Sequence, residues 1–91
     1  MGRHEKVLRR LLQGGADANI GFAELCGLLR HLGFEERQRG SHHLFSRAGV
    51  EELLNLQEAG AQAKVYQVRQ VRTVLLKYGL GRELLGDDSE G

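Results

Sequence analysis

Apolar residues recur every three to four positions over HEKVLRRLLQ (4–13). Val7, Leu8, Leu11 and Leu12 share one side there, while Glu5, Lys6, Arg9 and Arg10 cover the other. That spacing predicts an amphipathic helix. Gly14-Gly15 ends it, since glycine accepts the positive φ of a helix C-cap without strain. A polar linker, ADAN, follows. The next helix begins at GFAE, with Gly21 as N-cap and Glu24 where a capping-box acid belongs. Ile20, just ahead of the cap, is placed to touch Leu25 as a hydrophobic staple. Phe22, Leu25, Cys26, Leu29 and Leu32 continue one apolar stripe, and Gly33 closes the run.

From Phe34 the period changes. FEERQR (34–39) has no helical stripe and leads into a turn at Gly40-Ser41. HHLFS (42–46) reads as a second strand, RAGV as another turn, and ELLNLQ (52–57) as a third strand. The connections are too short for parallel crossovers, so an antiparallel meander is predicted. After a small-residue loop, EAGAQAK (58–64), YQVRQVRTVLLKYGL (66–80) returns to helical spacing. Val68, Val71, Leu75 and Tyr78 make its stripe, with Val74 alongside and Gly79 at the cap. The fold class is α+β: a two-layer sandwich in which the helices flanking the three strands pack together on one face. A single domain is predicted over 1–82, with 4–13 as an accessory helix added to a 20–80 core. An acidic, disordered tail is predicted over 83–91.

Composition narrows the field. The chain has 91 residues, 41% of them hydrophobic, enough for one modest core. No apolar run approaches the ~18 residues of a membrane helix, and MGRHEKVLRR does not resemble a secretory signal. One cysteine excludes an internal disulfide framework and fits a reducing cytoplasm. That residue, Cys26 in FAELCGLL, reads as a small buried apolar side chain. The formal charge of +1 hides an asymmetry: thirteen cations against eight acids give residues 1–82 a charge of +5, and the last nine residues carry −4. A basic body is compatible with a polyanionic partner such as RNA.

The candidate chemistry lies in RQRGSHHLFSRAG (37–49). Neighbouring side chains on a strand point to opposite faces, so His42 and His43 are a poor pair of metal ligands. With no second Cys, His or carboxylate at ligand spacing, neither a metal site nor a cofactor is expected. One histidine should face the helices and the other solvent. Alternation does not say which, because Leu44 and Phe45 are both apolar. An imidazole has an unperturbed pKa of ~6.5 and exchanges protons near neutrality. In RNA cleavage such a base takes the 2′-hydroxyl proton, and cations or amides stabilise charge gathering on the phosphoryl oxygens. Arg37 and Arg39 lie immediately upstream. Arg69 and Arg72, three apart, share a side of the last helix, and Gly40-Ser41 lets backbone approach a phosphate. His4 and His31 read as surface residues on helices.

Taken in order, LGFEERQRGSHHLF, LNLQ and AKVYQVRQVR resemble the HicA family of bacterial toxin–antitoxin systems, over roughly residues 20 to 80. The resemblance implies a double-stranded-RNA-binding-domain-like core, helix–strand–strand–strand–helix. It also implies a toxin that acts as a metal-independent mRNA interferase, an endoribonuclease that cuts mRNA and inhibits translation and growth. The implied partners are mRNA and a HicB-type antitoxin that covers the active face. The family's glycine–serine–histidine motif falls on Gly40, Ser41 and His42. His42 is therefore the implied general base, with His43 as the fallback, because a one-residue slip in register exchanges their faces. Arg37, Arg39, Ser41, Lys64, Arg69 and Arg72 are the expected RNA contacts. The chain departs from shorter members, which carry a second histidine in a proline-containing segment after the third strand. It has no proline, and EAGAQAKVYQ has no histidine. Protonation of the leaving group then falls to water, Lys64 or His42 itself. The alternative is a non-catalytic module that binds RNA or an antitoxin.

Overall fold

A computed structural model of the chain describes residues 2–15 and 17–85. Helix α1 spans Arg3–Gln13, and a short 3-10 turn follows at Asp17–Asn19. Helix α2 spans Phe22–His31. Strands β1 (Glu35–Arg39), β2 (His42–Ser46) and β3 (Leu54–Gln57) follow, then α3 (Val65–Tyr78) and a 3-10 turn at Arg82–Leu85. The strands form one antiparallel sheet in the order β1-β2-β3. The described residues are therefore α+β, with three α-helices and a three-stranded antiparallel sheet.

Local chemistry accounts for the helix boundaries. Gly14 (φ 79°) and Gly79 (φ 63°) terminate α1 and α3 in the left-handed conformation. At the start of α2 the Glu24 carboxylate accepts the Gly21 N–H at 3.0 Å, half of a capping box. A short antiparallel bridge joins Gly21 to Gln62. In it Phe22 N–H donates to the Ala61 carbonyl at 2.8 Å, and Ala63 N–H to that of Ile20 at 2.9 Å. The 58–64 loop thus ties the start of α2 to the start of α3. Fully buried Gln67 adds a second tie: it accepts the Lys64 N–H at 3.3 Å and donates to the Gln57 carbonyl at 3.2 Å. That joins the first turn of α3 to the end of β3.

The core lies between the sheet and the helices. Phe45, Leu54 and Leu56 enter it from the strands. Phe22, Leu25, Cys26, Leu28 and Leu29 enter from α2, and Val68, Val71, Val74 and Leu75 from α3. Helix α1 is not accessory. Its Val7, Leu8 and Leu11 are buried in the same cluster, and it packs against both α2 and α3. The apolar stripe on 4–13 is thus a third wall of one core. Leu84 and Leu85 also pack on that core from the final 3-10 turn. The predicted boundary at residue 82 consequently falls inside structured chain, whereas the rest of the predicted tail, 86–91, lies outside the described residues. Strand β3 starts at Leu54 rather than at Glu52.

Two ion-pair assemblies brace this arrangement. The ADAN segment is more than a linker, because Asp17 accepts two bonds from Arg72, at 2.8 and 3.1 Å. Arg72 also donates to the Leu11 carbonyl at 3.1 Å, and Arg69 lies 3.4 Å from Asp17. One guanidinium thereby joins α3 to the end of α1 and to the segment after it. On the opposite side, Glu52 accepts from Lys77 Nζ at 2.8 Å and from the Tyr78 hydroxyl at 2.7 Å. Hydrogen bonding from Lys77, then from Tyr78, pulls the Glu52 carboxyl down to about 2. The Arg72 hydrogen bonds lower that of Asp17 as well.

Two expectations follow. Leu8→Ala should destabilise the fold by about 2–5 kcal/mol in urea or thermal unfolding, as for a buried core leucine; an accessory helix would lose far less. Both carboxylates titrate lower in the folded state than in the unfolded one. Their stabilisation is therefore complete above the ordinary carboxylate range, near ~4, and is lost as pH falls toward about 2 for Glu52. The melting temperature should hold from neutrality to roughly pH 5 and drop below it. Glu52→Gln should remove the lowest part of that slope.

Candidate active site

Strand β2 lies at the centre of the sheet, so each of its side chains has neighbours on both sides. The register places Arg39 and Gln57 opposite His42, and Arg37 and Asn55 opposite Leu44. Facing partners have Cβ atoms about 4.5–5.5 Å apart, so all six residues share the outer face. His42, Arg37, Arg39 and Asn55 are exposed there, whereas His43, Phe45, Leu54 and Leu56 point into the core. Pairing with Leu54-Asn55-Leu56 settles what the run HHLF leaves open: Phe45 goes inward, and the ring at 42 goes out.

His42 is held by a neighbour that sequence reasoning missed. Its Nδ1 lies 3.1 Å from Asn55 Oδ1. An amide oxygen only accepts, so Nδ1 carries the hydrogen in this contact. The neutral ring then presents its Nε2 lone pair for a ligand. The signal was present in LNLQ, where Leu54 and Leu56 inward require Asn55 outward.

The turn before His42 has two residues, with glycine first. Gly40 has φ 58°, open to glycine at no steric cost and suited to a tight hairpin. Ser41 is exposed in this turn, and its carbonyl accepts the Glu58 N–H at 2.8 Å. Lys64 is exposed at the N-cap of α3, in the turn that Gln67 ties to Gln57. Arg37, Arg39 and Lys64 have no acidic partner within salt-bridge distance among the described residues.

Other predicted residues go elsewhere. His43, the fallback base, is buried beneath the sheet. Its Nδ1 lies 2.5 Å from Glu36 Oε2 and its Nε2 3.4 Å from Glu58 Oε1. The Phe22 ring meets it edge-on at 5.1 Å. Burial opposes ionisation of Glu36, but hydrogen bonds from His43 and Arg30 outweigh it and hold the carboxyl below its usual value. Arg72 is half-buried and spent on Asp17 and the Leu11 carbonyl, while Arg69 is exposed beside Asp17. Both stand with the α1–α3 junction and do not join His42. His4 is half-buried, not a free surface residue: its ring stacks on His31 at 4.4 Å, and its buried Nδ1 has no hydrogen-bond partner among the described residues. Desolvation lowers its pKa, helped by the charges of His31, Arg3 and Arg30.

No family model, curated protein or solved structure matches the chain. Among the described residues, no helix is long and apolar enough to cross a membrane.

The Asn55 contact makes a spectroscopic prediction. Long-range nitrogen–proton NMR of the neutral protein should show His42 chiefly as the Nδ1–H tautomer, and Asn55→Ala should return it to the Nε2–H preference of free histidine. An unchanged tautomer ratio would mean that Asn55 does not orient the ring.

Proposed function

We propose that the chain is a HicA-like toxin with a double-stranded-RNA-binding-domain-like core, acting as an mRNA interferase through His42. The observation that carries this reading is the outer-face constellation: an exposed imidazole oriented by Asn55 at mid-sheet, with Arg39 directly across and Arg37 one row away. The order helix–strand–strand–strand–helix within 22–78 accords with such a core.

In the proposed reaction His42 Nε2 removes the 2′-hydroxyl proton of a ribose. The freed oxygen attacks the adjacent phosphorus, the bond to the 5′-oxygen breaks, and that oxygen takes a proton from water, Lys64 or the protonated His42. The products are a 2′,3′-cyclic phosphate and a 5′-hydroxyl end. Arg39 and Arg37 balance negative charge on the non-bridging oxygens as it develops, and Ser41 and the Gly40 backbone allow close approach of the phosphate. The outer face is wide and exposed, as binding of an extended polyanion requires. A HicB-type antitoxin would neutralise the toxin by covering this same face, within the cytoplasm.

The proposal is tested on labelled RNA with purified protein. His42→Ala should lower cleavage by about 10²–10⁴-fold, the usual contribution of a general base, and should abolish growth inhibition while the protein stays folded. Arg39→Ala should cost on the order of 10²-fold in kcat, as for a lost charge-stabilising donor. Arg69→Ala should leave cleavage near the parent value. If the parent binds RNA in a salt-sensitive manner but makes no fragments, the non-catalytic binding module is the correct reading. Fully active His42→Ala would overturn the assignment of the base.

A further inference from the structure

Beneath the sheet, the fold gathers three different donors that lie far apart in kind and in chain position. Cys26 comes from α2, Glu36 from β1 and His43 from β2. One ligand atom from each lies within 4.8 Å of the other two, and Cys26 and His43 are buried. Glu58 reaches the same histidine from just beyond β3. We propose that Cys26 Sγ, a Glu36 carboxylate oxygen and His43 Nδ1 form a site for a thiophilic divalent cation of the zinc class, with Glu58 as the outer partner of the ring.

The donor set selects the ion. A thiolate beside an imidazole disfavours magnesium and calcium, which take oxygen, and suits zinc, which takes sulfur, nitrogen and carboxylate oxygen together. With zinc–ligand bonds of about 2.0–2.3 Å, ligand atoms in a tetrahedral site stand roughly 3.3–3.6 Å apart. From separations that run from 2.5 Å between Nδ1 and the Glu36 carboxylate to at most 4.8 Å, the site forms by about an ångström of side-chain adjustment, the carboxylate opening away from the ring and the thiol drawing in. Nδ1 already faces the Glu36 carboxylate, and Nε2 faces Glu58. If Nδ1 binds the ion, Nε2–H donates to Glu58, the carboxylate–histidine arrangement that usually orients a metal-bound imidazole. Water supplies the fourth ligand.

Charge also balances. One thiolate and one carboxylate neutralise a divalent cation, while Glu58 and Arg30 offset one another. Binding breaks the S–H bond of Cys26 and sends its proton to solvent, so affinity rises with pH. Without a cation, burial pushes the Cys26 thiol up to about 12, helped by the negative charge of Glu36. Such a thiol is a poor nucleophile on its own. Because the three elements α2, β1 and β2 meet at this point, the ion would act as a clamp on the inner side of the sheet. This inference is independent of whether the outer face cleaves RNA.

The test uses the full chain, reduced and stripped with a chelator, titrated with Zn²⁺ alone against a chromophoric indicator. Co²⁺ serves as a spectroscopic probe. The expected result is one equivalent bound, a near-ultraviolet thiolate-to-cobalt band, and a higher melting temperature with Zn²⁺. Cys26→Ala should abolish the band and weaken binding by at least about 100-fold; Glu58→Gln should weaken it by about tenfold. His42→Ala should still bind one equivalent. If Cys26→Ala does not fold, Glu36→Gln decides the same question by the same loss of affinity. Absence of saturable binding, or one-equivalent binding undiminished in these variants, overturns the site. So does binding that is lost on His4→Gln instead.

Discussion

The alternation of side chains along β2 is the constraint from which the rest follows. An extended backbone sends residues 42 and 44 one way and residues 43 and 45 the other, and the two pairing partners of β2 enforce it on both sides. Phe45 is fully buried among Leu54, Leu56 and the helices. A slip of β2 by one residue would expose this ring and turn His42 and Leu44 toward the core. Burial of one aromatic side chain thus fixes the exposure of a histidine three residues away. The hairpin helps: a two-residue turn headed by Gly40 leaves little room for another register.

Among the described residues, the helical layer covers the sheet from one side only. Three helices rather than two line the core, and their mutual arrangement is held by contacts of long sequence separation. Arg72 reaches Asp17 across 55 positions, and Glu52 reaches Lys77 and Tyr78 from the end of the β2–β3 connection. The half-buried Arg72–Asp17 pair matters through the partner that each would leave behind, more than through its Coulomb energy. Spending Arg72 in this way also sorts the basic residues. Arg72 and Lys77 on α3 are committed to acids, while Arg37, Arg39 and Lys64 have no acidic partner among the described residues. A formal charge therefore says little about any one face until the internal pairs are removed from the count.

Element order was legible because periodicity is a local property. A stripe over 4–13, a change of period at Phe34 and glycines at the caps need no tertiary information. What α1 packs against was not legible: an amphipathic face says that something covers it, but not that the same core does. Likewise, Arg69 and Arg72 share a helix side by spacing alone, yet only folding shows that Asp17 occupies that side. Asn55 stood within reach of the alternation in LNLQ. The Cys26, Glu36 and His43 cluster did not. Its members lie ten and seven residues apart on a helix and two strands, and no ligand spacing in one dimension anticipates their meeting.

Placing His42 and His43 back to back sets the two proposed sites on opposite faces of a single strand. A ligand under the sheet would alter the proposed chemistry above it only by favouring one arrangement of β2 over another. Phe45 and the hairpin already hold one register, so an alternative that could be populated is a loosened strand, not a shifted one. Occupation of the proposed inner site should consequently act on the stability of the sheet, and on the proposed outer-face activity only where the unoccupied sheet is partly unfolded. The outer ring keeps its own orienting group in Asn55. The outer ring's orienting contact thus comes from β3, whereas the inner ring's contacts come from Phe22 on α2, Glu36 on β1 and Glu58 just beyond β3. One strand of five residues is thereby asked to serve two environments, one wet and cationic, the other dry and rich in electron-pair donors, and adjacent histidines are the sequence trace of that division.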